Sequence, residues 1–217
     1  MSKAIPFLLA LAAAACAVPA AHAQNAAEGE RKAAMCIGCH GIPGYQATFP
    51  EIYKVPMIAG QNAKYIENAL TEYKKGDRKF PTMRAIASSL SDADIADLAA
   101  FYSTYGTAGK PAAPDTPPAP STEVAALIAK GACNSCHGPN FSKPIDPGYP
   151  KLAGQADSYL FNALLAYGTR DNRLVGRDHA IMSAQVKPFD RKELQALADY
   201  ISSLPGEIHT EPAPRFK

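Results

Sequence analysis

The sequence predicts an all-α protein built from two small helical domains in tandem, and three observations carry that prediction. A chain of 217 residues has room for one large domain or two small ones. Its second half repeats the first, segment by segment, with offsets that drift only from 94 to 99 residues. Within each copy the apolar positions recur at helical spacing, and no run alternates as a half-buried strand would.

Residues 1–23 have the form of a secretory signal. Lys3 supplies a positive start, Pro6–Val18 is apolar, and Ala21-His22-Ala23 ends in a cleavage pattern, placing the mature start at Gln24. The apolar run is shorter than the roughly 20 residues needed to span a bilayer, which favours a cleaved leader over an anchor.

The first domain is expected over 24–105, a proline-rich linker over 106–121, and the second domain over 122–217. In the first, a short helix leads into Cys36. A second runs from about Asn62 to Lys75 and stops at Gly76, where a left-handed cap suits glycine. A third starts at Ser91, which forms a capping box with Asp94, and presents Ile95, Leu98, Ala99 and Tyr102 on one face. The second copy repeats this with Asp190 and Glu193 as cap and Leu194, Leu197, Ala198 and Ile201 as stripe.

Cys36-Ile-Gly-Cys39-His40 and Cys133-Asn-Ser-Cys136-His137 carry the chemistry. C-x-x-C-H is the attachment sequence of a c-type haem. Two thiols become thioethers on one edge of the porphyrin, and the adjacent histidine turns under the iron as an axial ligand. One such pentapeptide could be a redox dithiol or half a zinc site. Two of them behind an export signal predict two covalently bound haem c groups. Four of the five cysteines lie in these motifs and Cys16 lies in the leader, so the mature chain has no thiol to spare. The formal charge of +2 makes no case for nucleic acid as a partner.

An electron-transfer haem takes a second axial ligand, usually methionine. Of five methionines, Met1 is in the leader, Met35 abuts the attachment site, and Met57 aligns with Lys151. Met83 and Met182 align with each other and stand 43 and 45 residues after His40 and His137. His40, Met83, His137 and Met182 are therefore the expected iron ligands, with His179 as the rival in the second copy. Pro56 and Pro150 open matched segments whose carbonyls are candidates to hold the histidine rings. Arg78, Arg84, Arg170, Arg173 and Arg177 lie near the methionines, either as propionate partners or as solvated charge.

These features together resemble the di-haem cytochromes c of the c4 type. The resemblance rests on the two C-x-x-C-H-G motifs, Pro56–Gln61 and Pro150–Gln155, Lys75-Gly-Asp-Arg78, and the methionine followed by Leu90-Ser-Asp-Ala-Asp-Ile95. It covers about Glu28 to Leu204. The chain departs from the pattern in its longer linker, in Tyr167-Gly-Thr-Arg-Asp171, and in Phe189 where the first copy has Leu90.

The resemblance implies two class I cytochrome c folds related by a pseudo-twofold axis, with haems facing through their propionate edges. It implies a periplasmic electron carrier, peripherally associated with the inner membrane in some relatives. The implied partners are redox proteins: a quinol-oxidising cytochrome bc complex or a dehydrogenase as donor, and a terminal oxidase as acceptor. The alternative it implies is the haem subunit of a periplasmic dehydrogenase complex such as a flavocytochrome c. A peroxidase or thiosulfate-oxidising enzyme fits less well, because both copies offer a methionine and no cysteine is left to ligate iron.

Overall fold

Two helices cross so closely that only a glycine fits between them, and this crossing organises the first half of the computed structural model, which describes residues 24–212. Helix α1 (Ala26–Lys32) starts where Asn25 Oδ1 accepts from the Ala27 and Glu28 N–H groups. At Gly29 a Cβ would stand 2.1 Å from the Asp97 carbonyl oxygen and 2.7 Å from Phe101 Cβ. Both belong to α5 (Asp92–Thr104), which carries the predicted Ser91–Asp94 capping box. The α5 stripe buries Ile95, Leu98, Ala99 and Tyr102 against Ile66 and Leu90.

Between these helices lie α2 (Ala34–His40), α3 (Ala63–Lys75) and α4 (Pro81–Ser88). Helix α3 ends as expected at Gly76, in a left-handed conformation with φ 92°. A small hairpin, β1 (Gln46–Ala47) and β2 (Tyr53–Lys54), pairs Gln46 with Lys54 and Ala47 with Tyr53. Two-residue strands are too short for alternation to register, so nothing in the sequence signals them.

The second half repeats the plan with α6 (Thr122–Lys130), α7 (Asn134–His137), α8 (Asp157–Gly168), α9 (Ala180–Val186) and α10 (Arg191–Ser203). Asp190 and Glu193 form the predicted capping box. Leu194, Ala198 and Ile201 of α10 pack with Leu160, Phe161, Val186 and Phe141. The architecture is all-α, with two cytochrome-like helical units in tandem.

The halves are tied together. Gln61 Nε2 donates to the Lys151 carbonyl and its Oε1 accepts from the Lys151 N–H, each at 2.9 Å. Gln155 makes the same pair of bonds with Met57, also at 2.9 Å. Arg78 and Arg177 pair as an antiparallel bridge.

The proline-rich segment expected as a linker is held against the body rather than looped free. Asn140 Nδ2 donates to the Pro114 carbonyl, Tyr200 Oη to that of Pro118, and the Ala113 N–H to Glu207 Oε1. Beyond α10 the chain returns to the first half, where the His209 N–H donates to the Ala59 carbonyl at 3.0 Å. Among the described residues no helix is long and apolar enough to cross a membrane. The leader, with Cys16 and His22, lies outside the described residues.

Candidate haem sites

Each C-x-x-C-H segment forms one wall of an apolar cavity, and a methionine stands in the wall of the same cavity. Cys36, Cys39 and His40 share the first with Met83, together with Ile66, Leu70, Ile86, Leu90 and Leu98. Cys133, Cys136 and His137 share the second with Met182, Leu160, Leu164 and Ile201. Met35 lies outside, half exposed on α2. Met57 also lines the first cavity, but its backbone is engaged by Gln155.

The two histidines are held as metal-ligating rings usually are. His40 Nδ1–H donates to the Pro56 carbonyl at 2.8 Å, and His137 Nδ1–H to that of Pro150 at 3.4 Å. That leaves Nε2 of each ring for the cavity. Burial lowers the pKa of both rings, against the opposing pull of the carbonyls, and so favours the neutral, ligating form.

The same burial raises the Cys36 and Cys133 thiols. A reactive dithiol needs the opposite shift. The four cysteines among the described residues are free of disulfides. Nor does a zinc site form: among the described residues no group of three or more His, Cys, Asp or Glu side chains could hold a metal ion. What remains is a pair of thiols, a fixed imidazole and an apolar cavity, a donor set and a lining that fit haem c.

Other candidates separate cleanly. His179 Nδ1 accepts from the Met182 N–H at 3.3 Å and so caps α9, although its ring stays in the wall of the second cavity. Arg84, Arg170 and Arg173 are exposed. Arg78 is not: it is 5% exposed, its guanidinium lies over the Tyr65 and Tyr73 rings, and Nε donates to Glu72 Oε2 at 2.5 Å. Arg177 repeats this over Tyr159 and Tyr167, donating to Tyr159 Oη at 3.0 Å. Tyr65, Arg78, Pro150, Leu152 and Tyr159 line both cavities, so cationic and hydroxyl donors meet where the two slots approach each other.

Three features escaped the sequence. Tyr65 and Tyr159 stand at matching places in the two copies, as do Gln61 and Gln155, and identity across the repeat was the signal available. Tyr102 gave none. It reads as part of a core stripe and its counterpart is Ile201, yet its hydroxyl is buried beside Cys36 with no other partner.

Comparison with known proteins agrees with this geometry. The cytochrome c family profile matches the chain twice, over residues 26–105 and 121–205. The chain belongs to the cytochrome c family, as a di-haem protein of the c4 type. It is 32% identical over 190 residues to cytochrome c4 of Pseudomonas aeruginosa, covering 85% of this chain and 91% of that one. The crystal structure of reduced recombinant cytochrome c4 from Pseudomonas stutzeri superposes with a TM-score of 0.58 at 26% identity, covering 84% of this chain and 100% of the other. A protein named thiosulfate dehydrogenase electron acceptor, from Stutzerimonas stutzeri strain A1501, is 30% identical over 186 residues, covering 81% of this chain and 82% of its own. As a c4-type cytochrome the chain carries two covalently bound haem c groups and transfers electrons.

Proposed function

We propose that this cytochrome relays single electrons in the periplasm, from a quinol-oxidising complex or a dehydrogenase towards a terminal oxidase. We assign His40 and Met83 as the axial ligands in the first half and His137 and Met182 in the second, with Cys36, Cys39, Cys133 and Cys136 as the attachment points. The functional units are then 24–105 and 122–217, joined through 106–121 and exported by the leader at 1–23.

The observation that supports the reading is that one methionine shares each cavity with a C-x-x-C-H segment. Bound haem supplies a one-electron ferric–ferrous couple. The protein contributes the rest. His40 and His137 are fixed by the Pro56 and Pro150 carbonyls, so their rings need not reorient. The thioether sulfurs of Met83 and Met182 favour the reduced state, which suits delivery to an oxidase. Leucine and isoleucine walls exclude water. Arg78 and Arg177 bring positive charge to the wall that both cavities share or adjoin, where propionate carboxylates would need it.

The test is a visible and near-infrared spectrum of the oxidised holoprotein. Two low-spin haems with the methionine-to-iron charge-transfer band at full strength are expected, and Met83→Ala and Met182→Ala should each remove about half of it. A high-spin ferric signal in the parent, or a band untouched by either change, overturns the assignment.

A second reading is favoured by the relative named as an acceptor for thiosulfate dehydrogenase. In it the chain is the dedicated haem partner of a periplasmic dehydrogenase. Co-purification with a second, catalytic chain from the native membrane and periplasmic fractions would support it, and isolation as a free protein would favour the mobile relay.

A further inference from the structure

The two halves differ most in one place outside the haem cavities. In the first half only Gly76 and Asp77 lie between the end of α3 and Arg78. In the second, residues 169–176 lie between the end of α8 and Arg177, the bridge partner of Arg78. The longer loop carries Asp171 at φ 53°, a left-handed conformation that a non-glycine residue adopts at a cost.

A second difference falls on the same spot. The residue after Met83 is Arg84, whose guanidinium lies against Gly76, with Nη2 3.4 Å from where a Cβ there would stand. The residue after Met182 is Ser183. Where the first half has an arginine side chain, the second has an open cleft of 750 Å³.

The cleft has a cationic rim, with Ser183 buried beneath it. Ser183 is 5% exposed and its Oγ has no hydrogen-bond partner. A hydroxyl buried without a partner is costly, and this one lies beneath the cleft. Around it stand Arg170, Lys187 and Arg191. Arg191 is engaged by Glu51, with Nη2 2.9 and 3.0 Å from the two carboxylate oxygens. Arg170 and Lys187 make no ion pair among the described residues, and Glu51 is the only acidic side chain in the lining.

We propose that this cleft binds a dianionic oxyanion of phosphate or sulfate size, free or carried as a small phosphomonoester. Arg170 and Lys187 supply the charge, above the buried Ser183. Arg84 explains why the first half has no such site: its own cation occupies the place. Since Ser183 directly follows Met182, the bound dianion sets negative charge beside the second haem and favours its ferric state. That consequence rests on the ligand assignment above, whereas binding itself does not.

Calorimetric titration of the oxidised holoprotein, at constant ionic strength, tests binding with two probes: inorganic phosphate and glycerol phosphate. One equivalent is expected to bind, and the tighter of the two probes identifies the form of the ligand. Arg170→Gln and Lys187→Gln, both at exposed positions, should each weaken binding on the order of tenfold. Ser183→Arg, which installs the residue of the first half, should abolish it. Lys143→Gln, an exposed cation of the same half outside the cleft, is the control. Absence of binding overturns the proposal, as does a loss with Lys143→Gln equal to that with Arg170→Gln, which would mean general surface charge. Should Ser183→Arg not fold, the two glutamine variants still decide. Spectroelectrochemistry with and without phosphate then reads the linked effect, a fall in the potential of the second haem alone.

Discussion

Gln61 reads both polar groups of one residue in the opposite half: its amide nitrogen donates to the Lys151 carbonyl and its amide oxygen accepts from the Lys151 N–H. Gln155 does the same to Met57, and both glutamines are almost fully buried. A buried amide that satisfies two backbone groups at once leaves both orphaned when it is removed. Gln61→Leu and Gln155→Leu should each cost about 1–3 kcal/mol, measured by denaturant unfolding of the holoprotein. Because both act on one interface, the double change should deviate from the sum of the single ones.

Tyr102 and Ile201 occupy the same place in the repeat, and only one of them carries a hydroxyl. That hydroxyl is buried beside Cys36 with no other partner. An O–H donated to the Cys36 sulfur would set the positive end of its dipole beside the haem edge and favour the reduced state of the first half. Tyr102→Phe should lower that potential alone, shifting the distribution of a single electron between the haems several-fold. Spectroelectrochemistry that resolves the two haems would show it, and equal movement of both would argue against it.

Gly29 permits the contact of α1 with α5, where a methyl group would overlap the Asp97 carbonyl oxygen. Gly29→Ala improves helix propensity yet should destabilise by roughly 2–3 kcal/mol through overpacking. A thermal melt of the holoprotein checks the sign: a rise would mean the helices separate without loss.

Asp97 links the same two helices by charge. Its carboxylate accepts from Lys32 Nζ at 2.7 Å and from the Asn25 N–H at 2.9 Å. These bonds, led by that to Lys32, hold its pKa below the ordinary 3.8. A depressed carboxylate contributes stability that is present above its unfolded value and lost as pH falls through the folded one. Lys32 is shifted up from 10.5, chiefly by Asp94 and Asp97, so its share is present below that value and lost at more alkaline pH. Asp97→Asn should therefore be less stable than the parent at neutral pH, with the gap closing below about pH 4. Urea midpoints across that range would measure it.

Local chemistry made much of this legible. The Ser91–Asp94 and Asp190–Glu193 caps, the glycine stop after Lys75 and the α5 and α10 stripes depend on residues a few positions apart, and each stands where it was read. The repeat pairs Met83 with Met182, and each lines a cavity together with one C-x-x-C-H segment. The burial of Arg78 was not legible, since an arginine two residues past a glycine stop and near a lysine reads as surface until the second half covers it. The docking of residues 106–121 was hidden for a like reason: its anchors, Asn140, Tyr200 and Glu207, lie far along the chain.

The wall common to both cavities, formed by Tyr65, Arg78, Pro150, Leu152 and Tyr159, makes the redox centres electrically audible to one another. Charge placed in one slot is felt in the other across low-dielectric protein rather than water. The molecule is then a two-step store, whose first reduction makes the second harder. Potentials read from it would be macroscopic constants of the pair, as the titration constants of two interacting acids are.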